Sequence, residues 1–283
     1  MTKDSILRQA PNPDLRSAMF EVGLRSSAVH ARRVRLREPC AWDELLAENA
    51  GSAQVTELIA SLLVGGTSAW LSREEVGRLS LSDRDRIVAA LHTHCFGDRV
   101  ESVVTCRACQ EPFEIGLSLA ELVESLSSPA AAVGIEAADE AGHYLLASGA
   151  RFRLPTIEDE LEVTTLPVAD AARALLARCG VSLESEVEQS GVERAMESIA
   201  PVVDLDIPVT CAHCAAEQAV HFEMVSFFLS TLARERPILL REIHRIASAY
   251  HWSSHEIMSL PRSLRRAHVA LVEVDRGSLR AAS

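Results

Sequence analysis

Two six-residue stretches constrain this chain more than any other part of it: Val104-Thr105-Cys106-Arg107-Ala108-Cys109 and Val209-Thr210-Cys211-Ala212-His213-Cys214. Each reads Val-Thr-Cys-x-x-Cys, with β-branched residues before it and alternating apolar residues after it. Cysteines three positions apart on a tight turn offer two thiolates to one cation, and two such turns complete a tetrahedral shell. The pattern predicts two β-hairpins whose tips meet at one structural zinc ion held by Cys106, Cys109, Cys211 and Cys214. Four sulfurs leave no open position for water. A redox pair would need Cys-x-x-Cys to open a helix, where the thiol pKa falls; the flanking residues here are strand-like. The remaining reading is that the four are unpaired buried thiols.

The pairs stand 101 residues apart, too far for a compact zinc ribbon, and a second repeated pattern accounts for the distance. Arg37-Glu38-Pro39-Cys40-Ala41-Trp42-Asp43-Glu44-Leu45 and Arg153-Leu154-Pro155-Thr156-Ile157-Glu158-Asp159-Glu160-Leu161 share Arg-x-Pro-x-x-x-Asp-Glu-Leu. Both patterns occur twice in the same order, which predicts an internal duplication, with residues 67–82 inserted in the first copy only. The expected organisation is an arm over 1–18, a first repeat over 19–127, a linker over 128–142, a second repeat over 143–233 and a helical tail over 234–283.

Local signals fill in these units. Residues 32–37 alternate as a strand, and helical spacing runs from Leu45 to Leu63 before Gly65-Gly66. Ser72-Arg73-Glu74-Glu75 and Ser253-Ser254-His255-Glu256 are capping boxes. Further helices are expected from Leu81 to Gly97 and over 119–126, 168–179 and 191–200, and a hairpin around Ser148-Gly149. Pro237 and Pro261 each fit the first residue of a helix; the chain beyond Val274 is expected to fray. The fold class is α+β: a mainly helical duplicated body, two knuckle hairpins and a C-terminal helical tail.

Aromatic residues make up 4% of a chain that is 48% hydrophobic, so the core must be aliphatic. Seven cysteines without a signal-like N-terminus argue against a disulfide framework, and no apolar run is long enough to span a membrane. A cytoplasmic location follows as an expectation. The net charge of −12 disfavours nucleic acid as a partner. That charge is uneven: from Ala233 onward nine arginines face five acids, +4, which leaves −16 for the rest. Such a tail docks on something acidic, the body of the protein included.

Other candidate groups have plain readings. His92, His94 and Cys95 are expected to line a helix end rather than bind metal, and His213 to point outward. Cys40 and Cys179 read as small core residues. Asp43, Glu44, Asp159 and Glu160 follow prolines at helix starts, where acids favour the positive helix end. No phosphate-cradling loop or nucleophile elbow occurs, which predicts a protein that is not an enzyme and takes no small-molecule substrate.

The segment from His251-Trp252-Ser253-Ser254-His255-Glu256-Ile257-Met258 through Ser259-Leu260-Pro261-Arg262-Ser263-Leu264-Arg265-Arg266 resembles a small helical unit of phage tail proteins. Baseplate-associated proteins of phage-like contractile injection systems carry it as well. The body, roughly 30–232, with its Leu-Pro and Asp-Glu-Leu opening and Cys-x-x-Cys turns, looks like the T4-type baseplate protein family, whose members take part in baseplate hub assembly. The resemblance implies a non-enzymatic assembly or structural component, chaperone-like, whose partners are other baseplate or tail proteins. The setting would be a bacterial host cell or a phage-like particle. In that reading Arg262, Arg265 and Arg266 face an acidic partner and Trp252 anchors the contact. The competing reading is a zinc-ribbon regulator that touches nucleic acid through the same arginines.

Overall fold

The computed structural model describes residues 18–25, 29, 31–47, 51–65, 70–127, 135–136, 138–139, 141–182 and 185–281. The expected arm lies outside them except for Ala18, as do Gly66 and most of the linker. The described residues open with an antiparallel ribbon of β1 (Met19–Gly23) and β2 (Arg33–Arg37), in which Val22 faces Val34 and Phe20 faces Leu36. Strand alternation turns Val22, Val34 and Leu36 inward. Helices α1 (Ala41–Glu44) and α2 (Ser52–Leu62), a 3-10 turn at Arg73–Arg78 and α3 (Leu81–Phe96) follow. Helix α2 buries Val55, Leu58, Ile59 and Leu62, the i, i+3, i+4, i+7 stripe of a core-facing helix.

Strands β3 (Arg99–Thr105) and β4 (Pro112–Ser118) form the first knuckle hairpin, and α4 (Leu119–Ser127) leaves it. The expected linker contributes β5 (Ile135–Glu136), which pairs with β6 (His143–Leu146) and so joins the hairpin of β6 and β7 (Arg151–Arg153). Then come α5 (Ile157–Val163), α6 (Val168–Arg178), α7 (Glu186–Ile199) and the second knuckle hairpin, β8 (Asp204–Thr210) with β9 (Glu217–Glu223). The chain ends with α8 (Met224–Tyr250), α9 (Ser254–Met258) and α10 (Arg262–Ala281). The architecture is α+β, with small antiparallel sheets among helices. The largest core cluster, mainly aliphatic, takes Leu36, Leu58 and Ile87 from the first half and Val203, Phe222, Met224 and Phe228 from the second.

Two local expectations fail. Pro237 does not start a helix; it sits inside α8, which runs unbroken past the expected boundary at 233/234. A proline within a helix forfeits one hydrogen bond and crowds the preceding turn. Pro237 is exposed, so the freed carbonyl can bond to water, while Leu232, Leu239 and Ile246 are buried on either side and hold the helix to the body. At the other end, α10 keeps helical backbone to Ala281 rather than fraying after Val274.

The repeated Arg-x-Pro-x-x-x-Asp-Glu-Leu segments make the same contacts. Arg37 grips Asp43 at 2.6 and 2.8 Å, and Arg153 grips Asp159 at 2.5 and 2.8 Å. Each aspartate also accepts the backbone N–H of the helix N-cap, Cys40 or Thr156. A further correspondence, at a constant offset of 181, links Ser72, Glu75, Val76, Leu79, Ser82 and Arg84 to Ser253, Glu256, Ile257, Leu260, Ser263 and Arg265. Residues 72–84 thus share a pattern with 253–265 of the tail. The pairing is crossed. Thr156, at the start of α5, bridges to Ser80, and Leu81 N–H donates to Pro155 O at 3.2 Å. Cys40, at the start of α1, bridges to Pro261, and Arg262 N–H donates to Pro39 O at 2.9 Å. The second half's Asp-Glu-Leu helix thus docks on the first half's α3, and the first half's on α10.

Candidate metal centre

The two knuckles are built alike. In each, the first cysteine's N–H reaches the carbonyl five residues on, Cys106 to Glu111 and Cys211 to Ala216, at 3.0 and 2.9 Å. The residue after the second cysteine then turns left-handed: Gln110 at φ 62° and Ala215 at φ 57°. That turn folds the loop back so that N–H groups point at sulfur, His213 N–H onto Cys211 Sγ at 3.4 Å. Such donors stabilise a thiolate. Beneath the tips Phe113, Val104, Ile115 and Val209 pack the hairpins against each other.

The four sulfurs lie within 4.8 Å of one another and are the group suited to a metal ion among the described residues. Cys106 Sγ stands 3.6 Å from Cys214 Sγ, and Cys109 Sγ 3.8 Å from Cys211 Sγ. A tetrahedral shell with metal–sulfur bonds of about 2.3 Å has sulfur–sulfur edges of about 3.8 Å. Two of the six edges already have that length, and the others stay within 4.8 Å. Without a cation its members compete for protons. The Cys109 N–H holds the Cys106 thiol down to about 6. Cys109, although the Glu111 N–H favours its thiolate, is pushed up to about 12 by desolvation and by the sulfurs around it. A divalent ion removes that conflict. Cys106 and Cys211 are buried, Cys109 is half-buried and Cys214 is exposed.

His213 is exposed, as expected, yet it also has a partner across the hairpins. Its Nε2 lies 3.1 Å from Pro112 O on the other hairpin. On the opposite flank Gln218 Oε1 accepts the Arg107 N–H at 2.8 Å, and Gln218 Nε2 donates to Thr105 O at 3.3 Å. Neither clasp was legible as a site, because single polar residues near a turn carry no distinctive spacing. The other cysteines play no part: burial pushes the Cys40 and Cys95 thiols up to about 12 and Cys179 up to about 11. His92 packs among Phe96, Phe227 and Phe228, and His94 stacks on Phe20.

The tail arginines do not all face an outside partner, as the resemblance implies they would. Arg262 and Arg265 are 3% and 0% exposed. Arg262 donates to Glu44 at 2.5 Å and to Glu235 at 2.8 Å, with its guanidinium 4.6 Å over the Phe96 ring. Arg265 donates to Glu44 at 2.6 Å and Glu242 at 2.8 Å, and Arg266 pairs with Glu235 and Glu242. Glu38 accepts from the Ser263 N–H and hydroxyl. The acidic surface these arginines meet is the body itself, which leaves Arg262 and Arg265 unavailable to phosphates. Trp252 is exposed, stacked on Tyr250 with His268 edge-on. In the crossed counterpart, Arg84 donates to Glu160 at 2.5 Å.

Comparison with family models, with curated proteins and with solved structures finds no match. The site defines the class by itself: a four-cysteine centre able to hold a metal ion, formed between two hairpin tips. No helix among the described residues is long and apolar enough to cross a membrane.

Proposed function

We propose that this chain is a non-enzymatic structural or assembly protein, arisen by internal duplication and braced by one zinc ion. The observation that carries the reading is the tetrad, which brings two cysteines from each half within 4.8 Å of one another, two of the edges at 3.6 and 3.8 Å. Zinc suits four thiolates and prefers tetrahedral geometry, and a closed shell supplies stability rather than chemistry. The tie joins residues about 100 positions apart, where a cross-link restricts the unfolded chain most. The resemblance of residues 251–266 and of the body to baseplate proteins supports a phage-like contractile tail baseplate as the setting.

Metal analysis of purified protein tests the brace. About one zinc per chain is expected, lost in Cys211→Ser/Cys214→Ser together with a lower melting temperature. No metal, with an unchanged melting temperature in the variant, refutes it. The setting is tested in cells that make contractile particles: the protein should co-sediment with baseplate intermediates, and normal particle assembly in its absence counts against the role.

A further inference from the structure

Oxidation chemistry is built unevenly into the tetrad. Cys214 is the exposed sulfur, and its neighbour at 3.6 Å, Cys106, is fully buried on the other hairpin. Cys109 and Cys211, 3.8 Å apart, form a second pair across the hairpins. The Gln218 and His213 hydrogen bonds join the hairpins by contacts in which no metal takes part. The shared apolar cluster of Phe113, Val104, Ile115 and Val209 does the same. Losing the ion therefore leaves the tips docked, with each sulfur beside its partner from the other half.

We propose that the tetrad is a hydroperoxide-sensitive modification site in which Cys214 is oxidised and Cys106 resolves it, the product being a cross-hairpin disulfide. The proposal rests on the zinc–thiolate reading for its starting state. The Cys214 thiolate attacks one peroxide oxygen; the O–O bond breaks, an S–O bond forms, and the departing hydroxide takes a proton from solvent. The Cys106 thiolate then attacks the Cys214 sulfur, forming the S–S bond and expelling the sulfenic oxygen as a second hydroxide, which is protonated in turn. Two electrons leave the sulfur pair and reduce one peroxide to two waters. Two thiolates cannot hold the ion, so zinc departs, and a second peroxide oxidises Cys109 and Cys211 by the same steps. Exposure selects the first sulfur, as it does in general for thiolate oxidation. The cross-link then takes over the joint that zinc had made.

The test treats the purified full chain with one and then two equivalents of hydrogen peroxide. Zinc release is followed with a chromogenic chelator, and disulfides are mapped by mass spectrometry of unreduced peptides. The expected result is about one zinc released with the first equivalent, a Cys106–Cys214 linkage first and a Cys109–Cys211 linkage second. Linkages confined to Cys106–Cys109 and Cys211–Cys214, or a Cys214 sulfinic acid with no linkage, overturn the proposal. Gln218→Ala should shift product from cross-hairpin to within-knuckle disulfides; an unchanged distribution overturns the role given to the clasp. Absence of zinc at the outset would refute the brace alone, since the linkage map of metal-free protein still decides this proposal.

Discussion

Glu44→Ala should be among the most damaging single substitutions in this chain. The Glu44 carboxylate is 5% exposed and sits between two buried guanidiniums, Arg262 at 2.5 Å and Arg265 at 2.6 Å. Removing one member of a buried charge cluster strands the others, at a cost of about 3–5 kcal/mol. Glu242 and Glu235 remain, but each already serves Arg266. The counterpart substitution is the internal control. The Glu160 side chain is 29% exposed, and its partner Arg84 keeps Asp85 at 2.8 Å, so Glu160→Ala should cost about 1 kcal/mol. Urea unfolding followed by circular dichroism measures both against a total stability on the order of 5–15 kcal/mol. Adding Arg265→Met to Glu44→Ala should restore part of the loss by removing a stranded charge. Equal costs for Glu44→Ala and Glu160→Ala, or no recovery in the double variant, would refute the reasoning.

Pro237→Ala should raise stability by up to about 3 kcal/mol, because the exposed interior of α8 regains a backbone donor and loses the ring clash; thermal unfolding of the variant checks it. Burial raises the pKa of Asp159, but hydrogen bonds from Arg153, Thr156 and Arg178 outweigh it and hold the carboxyl well below the usual range. Its folded pKa is thus depressed. It stabilises the fold above the unfolded value of about 3.9, and that contribution is lost as pH falls through the folded pKa. Asp159→Asn should therefore narrow the gap in stability between pH 7 and pH 2, read from urea midpoints across that range.

Features fixed by short-range chemistry were readable in advance. The knuckles, the α2 stripe, the capping boxes at Ser72 and Ser253 and the acids at helix starts all follow from spacing within a few residues. Asp43 and Asp159 lie at helix starts, as their spacing predicts, while the arginines that hold them, Arg37 and Arg153, carry no signal beyond opening the same repeated motif. The partners of Glu44 and Glu160 were out of reach for another reason. Glu44 meets Arg265 across 221 residues, and only the offset of 181 between the two Ser-x-x-Glu segments hints at it. The basic charge of the tail points to an acidic surface, the body included, but charge alone does not single out Glu44, Glu235 and Glu242 as the carboxylates that meet it. Pro237 misled because a local rule met a helix whose packing outweighs it.

The crossed pairing sets an order for vectorial synthesis. When α5 emerges from the ribosome, its docking site at Ser80 and Arg84 has already been made, so that contact can close at once. Helix α1 has no such site. Glu44 must wait for Arg262 and Arg265, some 220 residues later, before its charge is matched. Helix α1 is therefore among the last described elements to settle, and a nascent chain halted before α10 carries an open acidic seat at Glu44.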